Sequence, residues 1–173
     1  MVKYISCAIF KPYIDLLKKN IDIDYLDIEG HNHPKKLSKQ IQDEIDKCLN
    51  YEKIVLIYGL CGNAILNILA RDIPVYVVRV HDCLSVLLGS KDRFDQLFSN
   101  RLSSGWSCYS LEGRKLISFD NYDDEEREYL ESILYPKKDI YITFNQEWEK
   151  QYENYYSEIL LGDISFLRDI ISC

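Results

Sequence analysis

Apolar and polar positions along the chain follow two alternating rhythms, one of strands and one of helices. Residues 4–10 form a short apolar run around Ile5, Ala8 and Ile9, the pattern of a buried strand. Pro12 then opens a short helical segment reaching Lys19, because proline suits the first turn of a helix. Residues 21–28 set Ile21, Ile23, Tyr25 and Leu26 against Asp22, Asp24 and Asp27, which predicts a half-buried strand near a sheet edge. After the turn Gly30-His31-Asn32-His33, a helix is expected from Pro34 to residue 49, with Leu37, Ile41, Ile45, Cys48 and Leu49 on one face. Residues 53–58 are the clearest buried parallel strand, and they break at Gly59-Leu60-Cys61-Gly62.

The same reading places a helix over residues 63–70 and a fourth strand over 73–80, with Pro74 near its start, where a lost donor matters least. An apolar segment covers 84–88, Gly89-Ser90 interrupts it, and helical spacing resumes over 91–98. Residues 103–107 read as a loop, 123–134 as an acidic helix and 139–144 as a fifth strand. Asn145 caps a helix through residue 156, and Gly162-Asp163 caps a last one to residue 171. There is no internal repeat, low-complexity segment or linker. Strands alternating with helices imply right-handed crossovers. The expected fold is a single α/β domain over residues 1–173, a three-layer α/β/α arrangement with a mostly parallel, Rossmann-like sheet of about five strands.

Composition narrows the function classes. With 47% hydrophobic and 28% charged residues, the 173-residue chain can fill one core. A net charge of −7, with lysine pairs scattered at 18–19, 35–36 and 137–138, argues against binding nucleic acid by phosphate neutralisation. No apolar run approaches the ~20 residues of a membrane span, and the opening strand is not a signal peptide. A cytoplasmic location is therefore expected, with the six cysteines read as thiols rather than disulfides.

In open parallel sheets, ligands bind beyond the carboxyl ends of the strands. Four strand ends here carry ligand-type residues: Cys7; His31 with His33; Cys61; and His81-Asp82-Cys83. Taken singly, Cys7 is also what a small core residue looks like, and His31 or His33 what a turn residue looks like. Cys61 lies between glycines at an expected helix start, where the dipole favours a thiolate. In an extended chain His81 and Cys83 point to the same side, with Asp82 opposite. Both then reach one metal sphere, in which soft sulfur and imidazole suit zinc or another transition metal. Alternatively, His81 serves as base to a thiol nucleophile. No Cys-x-x-Cys occurs, so the metal site is argued from the constellation. Arg79 near the same edge suits a carboxylate or phosphate, or an ordinary surface ion pair. Trp106 either walls a pocket or packs as a loop residue, and Cys48 and Cys173 look structural.

Taken in order, Ile5-Ser6-Cys7, His31-Asn32-His33-Pro34, Tyr58-Gly59-Leu60-Cys61-Gly62-Asn63 and Arg79-Val80-His81-Asp82-Cys83-Leu84 resemble the bacterial and archaeal proteins grouped as domain of unknown function 1638. Leu87-Leu88-Gly89-Ser90, Gly105-Trp106 and Gly162-Asp163 with Phe166-Leu167 extend the resemblance over nearly the whole chain. It implies that His31, ahead of Asn-x-Pro, is the family histidine. It also gives a contextual link to anaerobic corrinoid and methyl-group metabolism. Two departures stand out: relatives continue beyond Cys173, and the stretch between Trp106 and Gly162 is short and diverged, which points to an altered pocket wall or substrate.

The leading expectation is a metal-dependent enzyme acting on a small anionic or thiol-containing metabolite. Cys61, His81 and Cys83 hold zinc or a similar ion, Cys7 or His31 completes the sphere, Asp82 orients His81 or moves a proton, and Arg79 holds the anionic group. The alternatives are a non-catalytic metal- or corrinoid-handling accessory protein that docks a protein partner, and a metal-free enzyme with Cys61 as nucleophile.

Overall fold

The first three strands form where the apolar runs lead one to expect them. In the computed structural model, which describes residues 1–100, 106–111, 123, 125, 140–143 and 158–172, the first run is β1 (Val2–Cys7), buried along almost its whole length. Lys11–Leu16 is α1, with Pro12 in its first turn. The alternating segment is β2 (Asp22–Leu26), half-buried throughout. Pro34–Lys47 is α2, whose Leu37, Ile41 and Ile45 are buried, each contributing about 1.5–3 kcal/mol by leaving water. Lys53–Ile57 is β3 and Val75–Val77 is β4. These four strands make one parallel sheet in the order β2-β1-β3-β4. The acidic alternating strand thus lies at one edge, and the most apolar strands occupy the middle.

Two short helices follow, α3 (Cys83–Leu87) and α4 (Lys91–Phe98). The chain then builds a second parallel sheet, in the order β5 (Trp106–Cys108), β6 (Ile140–Thr143) and β7 (Glu158–Leu161). A helix α5 (Ile164–Ile170) ends the described chain, capped by Asp163. One apolar cluster includes Ile54 and Leu56 of the first sheet together with Cys108 and Ile142 of the second. Among the described residues no helix is long and apolar enough to cross a membrane.

The chain is a mixed α/β protein with parallel sheets, compatible with the Rossmann-like arrangement. The expected fifth strand does form, but in a separate three-stranded sheet with β5 and β7. The fourth strand is shorter than its apolar run because the chain leaves the sheet after Val77. The helix expected over residues 63–70 is a series of turns. Cys61, Gly62 and Asn63 have φ of 45°, 64° and 70°, and three consecutive left-handed residues cannot feed a right-handed helix. Leu49 is exposed because α2 stops before it. The helices expected over 123–134 and 145–156 lie outside the described residues, apart from Asp123 and Glu125.

Candidate functional site

Every strand of the first sheet has reactive residues at or beyond its carboxyl end. Cys7 is the last residue of β1. After β2, Asp27 caps a single turn by accepting from the Glu29 backbone N–H at 3.0 Å, and that turn carries His31. After β3 come Tyr58 and the left-handed turn holding Cys61. After β4, an irregular stretch leads to Asp82 and Cys83.

Gly59 allows the last two of these loops to touch. A Cβ there would lie 2.4 Å from the Asp82 Cα, closer than any side chain tolerates. The Leu60 N–H donates to the His81 carbonyl at 3.0 Å across the same junction. Gly62 fills a similar place against Pro34, whose Cγ would lie 2.8 Å from an added Cβ. Left-handed backbone at Cys61 and Asn63 costs about 1–3 kcal/mol each for non-glycine residues. The result is a Cys61 Sγ to Cys83 Sγ distance of 3.7 Å.

The two sulfurs face a cavity of about 310 Å³. Cys7, His31, Tyr58 and Asp82 share its reactive wall, and Ile9, Ile28, Leu37, Leu111 and Trp106 make the apolar remainder. Trp106 is the first residue of β5, so the second sheet closes a cavity whose reactive groups come from the first. Asp82 is extended, with φ −148° and ψ 176°, and caps α3. Its Oδ1 accepts from the Ser85 N–H at 2.9 Å and from the Ser85 hydroxyl at 3.0 Å.

Both facing thiols, Cys61 and Cys83, have raised proton affinity. The neighbouring Cys83 thiol and burial push Cys61 well above the ordinary thiol range, and the opposing pull of His31 is too weak to reverse them. At Cys83 the Cys61 contact favours the thiolate, yet the hydrogen bond with Cys7 and burial outweigh it, so this group is raised as well. The hydrogen bond with Cys61 lifts the His31 imidazole above its usual value, against the effect of burial. Tyr58 is also pushed up, by burial first and then by the surrounding cysteines, so its phenol stays protonated. Its hydroxyl is buried with no hydrogen-bond partner among the described residues.

Cys7, His31, Cys61, Asp82 and Cys83 are thus brought together, and His81 and Arg79 are not. The His81 side chain is 73% exposed, 3.7 Å from the Asp82 carboxylate and stacked over Phe94 at 6.5 Å. Both His81 and Arg79 line a separate open groove with Lys91 and Val77. The expected strand alternation fails here because the chain has left β4, Asp82 is a cap and Cys83 is the first residue of a helix. Asp82 and Cys83 therefore share the cavity, and His81 turns outward. His31, rather than His33, lines the cavity. No helix starts at Cys61, which removes the dipole from the argument for a thiolate there. Cys48 donates to the Glu44 carbonyl at 3.3 Å in a structural role, and Cys108 is fully buried. Among the described residues, no three His, Cys, Asp or Glu side chains are grouped as a formed metal shell. The sequence reading passed over the Tyr58 hydroxyl. Its signal was a polar-tipped residue closing an apolar strand directly before a glycine.

These features define a class: a parallel α/β protein with a thiol-lined cavity at its strand carboxyl ends. Residues 25–161 match the family described as protein of unknown function (DUF1638), and the chain belongs to that family. No curated protein and no solved structure matches it.

Proposed function

We propose that the cavity binds a zinc-class ion on Cys61 and Cys83, with a third donor from Cys7 or His31, and that the protein is a metal-dependent enzyme acting on a small metabolite. The observation that carries this is the 3.7 Å between the two sulfurs. Two thiolates on one tetrahedral zinc, each with a bond of ~2.3 Å, stand about 3.8 Å apart. Cys7 and His31 already contact this pair through Cys83 and Cys61, so a further donor is near without a change of fold. The adjoining cavity supports an open, substrate-accessible position rather than a closed structural site. Bound there, an ion supplies Lewis-acid polarisation of a substrate oxygen or thiol.

The chain's own groups take the remaining roles. Leu37, Ile28 and Trp106 keep water from the apolar side of the cavity. Asp82 uses Oδ1 for its helix cap, which leaves Oδ2 to hold or pass a proton. His81 and Arg79 have no role at the reacting centre in this reading, because both lie in the outer groove.

Metal analysis of protein purified without added metal tests the proposal. Stoichiometric metal is expected in the parent and its loss in Cys61→Ser/Cys83→Ser. A folded parent carrying no stoichiometric metal ends this reading.

A further inference from the structure

Tyr58 is the largest polar side chain sealed into the cavity wall, at 1% exposure, and its hydroxyl has no partner among the described residues. A buried hydroxyl left unmatched is costly, so its persistence in a residue of the cavity wall calls for a visiting partner. Cys7, Cys61 and Cys83 line the same cavity. The phenol hydroxyl is a hydrogen-bond donor. This wall therefore offers a donor and calls for an acceptor. Asp27 and Asp82 also line the cavity, and their negative charge disfavours a second anion. The facing side is apolar, formed by Ile9, Ile28 and Leu37. A ligand that suits all three conditions has one uncharged acceptor oxygen and a compact hydrocarbon body.

We infer that the Tyr58 hydroxyl donates a hydrogen bond to the carbonyl oxygen of a small uncharged ligand, whose apolar body rests on Ile9, Ile28 and Leu37. This deepens the proposed function, since it rests on the same cavity being the substrate site, but it requires no bound ion. It makes Tyr58 the residue that selects a carbonyl over a hydrocarbon of the same shape. It also replaces the anionic substrate expected from Arg79, which faces elsewhere.

Cyclopentanone and methylenecyclopentane form a probe pair that differ only in an oxygen against a methylene. Their binding to the full chain is measured by ligand-observed NMR, with the metal content of the same sample determined in parallel. Tyr58→Phe is expected to weaken cyclopentanone roughly tenfold and to leave methylenecyclopentane within about twofold, the effect of losing one hydrogen bond. Equal weakening of both probes, an unchanged ketone affinity, or no ketone binding to the parent overturns the inference. Should Tyr58→Phe fail to fold, the parent with carbon-labelled tyrosine decides. One phenolic resonance moving with the ketone and none with the hydrocarbon supports the role, and no resonance moving with the ketone overturns it. Metal-free protein that still discriminates the pair through Tyr58 defeats only the metal proposal. Metal-loaded protein that does not discriminate defeats only the Tyr58 role.

Discussion

Gly59 decides how near the two cysteine-bearing loops can come. An alanine there would place its Cβ against backbone rather than a yielding side chain, 2.4 Å from the Asp82 Cα and 2.5 Å from its carbonyl carbon. One loop must then withdraw. Gly59→Ala is expected to cost about 1–3 kcal/mol in urea unfolding and, on the metal reading proposed above, to weaken metal uptake, because Cys61 and Cys83 follow the loops. A variant as stable as the parent would show that the junction is looser than the Leu60 to His81 hydrogen bond indicates. Residue-scale reading of the sequence put Cys7, Cys61 and Cys83 at one rim of the sheet, and they do line one cavity, because all three lie at or beyond strand carboxyl ends. It misplaced His81, since the direction of a side chain beyond a strand depends on where the strand stops. That depends on the Asp82 cap and on pairing with β3, neither of which a period-two pattern contains.

At the scale of elements, the first sheet has an ionic clamp across β1 and β2. The Lys3 Nζ lies 2.6 Å from Asp22 and 2.9 Å from Asp24, and the Tyr51 hydroxyl donates to Asp22 at 2.6 Å. Burial works against the charge on Lys3, but its hydrogen bonds to the two carboxylates outweigh it and raise its pKa. Asp22 is lowered, first by Lys3 and then by Tyr51. A carboxyl lowered in the folded state stabilises the protein above its unfolded pKa of about 3.9, and that contribution fades as pH falls through the lower folded value. The stability gap between the parent and Lys3→Met should therefore be widest above about pH 5 and narrow below about pH 4, as followed by thermal melting. A gap constant through that range would mean that Lys3 acts by packing alone. The alternation over residues 21–28 made this edge strand legible, because acidic residues every second position cannot enter a sheet interior. The apolar spacing after Cys61 suggested a helix for an equally local reason, whereas the left-handed turn that prevents it packs at Gly62 against Pro34, far away in the chain. The second sheet was only partly legible: β6 was read as a strand, β5 fell in an expected loop, and pairing among three short strands is not a local property.

On the scale of the whole molecule, the cavity works only if both sheets stay in place, since its thiols belong to one and Trp106 to the other. Several direct links hold them. The Ser110 hydroxyl donates to the Ile9 carbonyl at 2.6 Å, and the Asp163 N–H to the Leu87 carbonyl at 3.0 Å. Arg93 donates to the carbonyls of Leu88 at 3.0 Å and Leu161 at 2.6 Å, joining α4 to the end of β7. Gly89, at φ 95°, admits Asp163 where a Cβ would lie 2.5 Å from its own. With one apolar cluster running through both sheets, these links predict a single cooperative unit. The sequence has two tryptophans, Trp106 and Trp148, so in a Trp148→Phe background the fluorescence of Trp106 reports the second sheet alone. Its urea midpoint should coincide with that from far-ultraviolet circular dichroism, which averages over the chain. Arg93→Met removes two hydrogen bonds from a charged group and should cost about 1.5–3 kcal/mol of stability, moving both midpoints to lower urea together. If Trp106 alone moved to lower urea, the second sheet would open independently of the first. The cavity would then be closed by a separable lid, with its thiols exposed to solvent whenever that lid lifts.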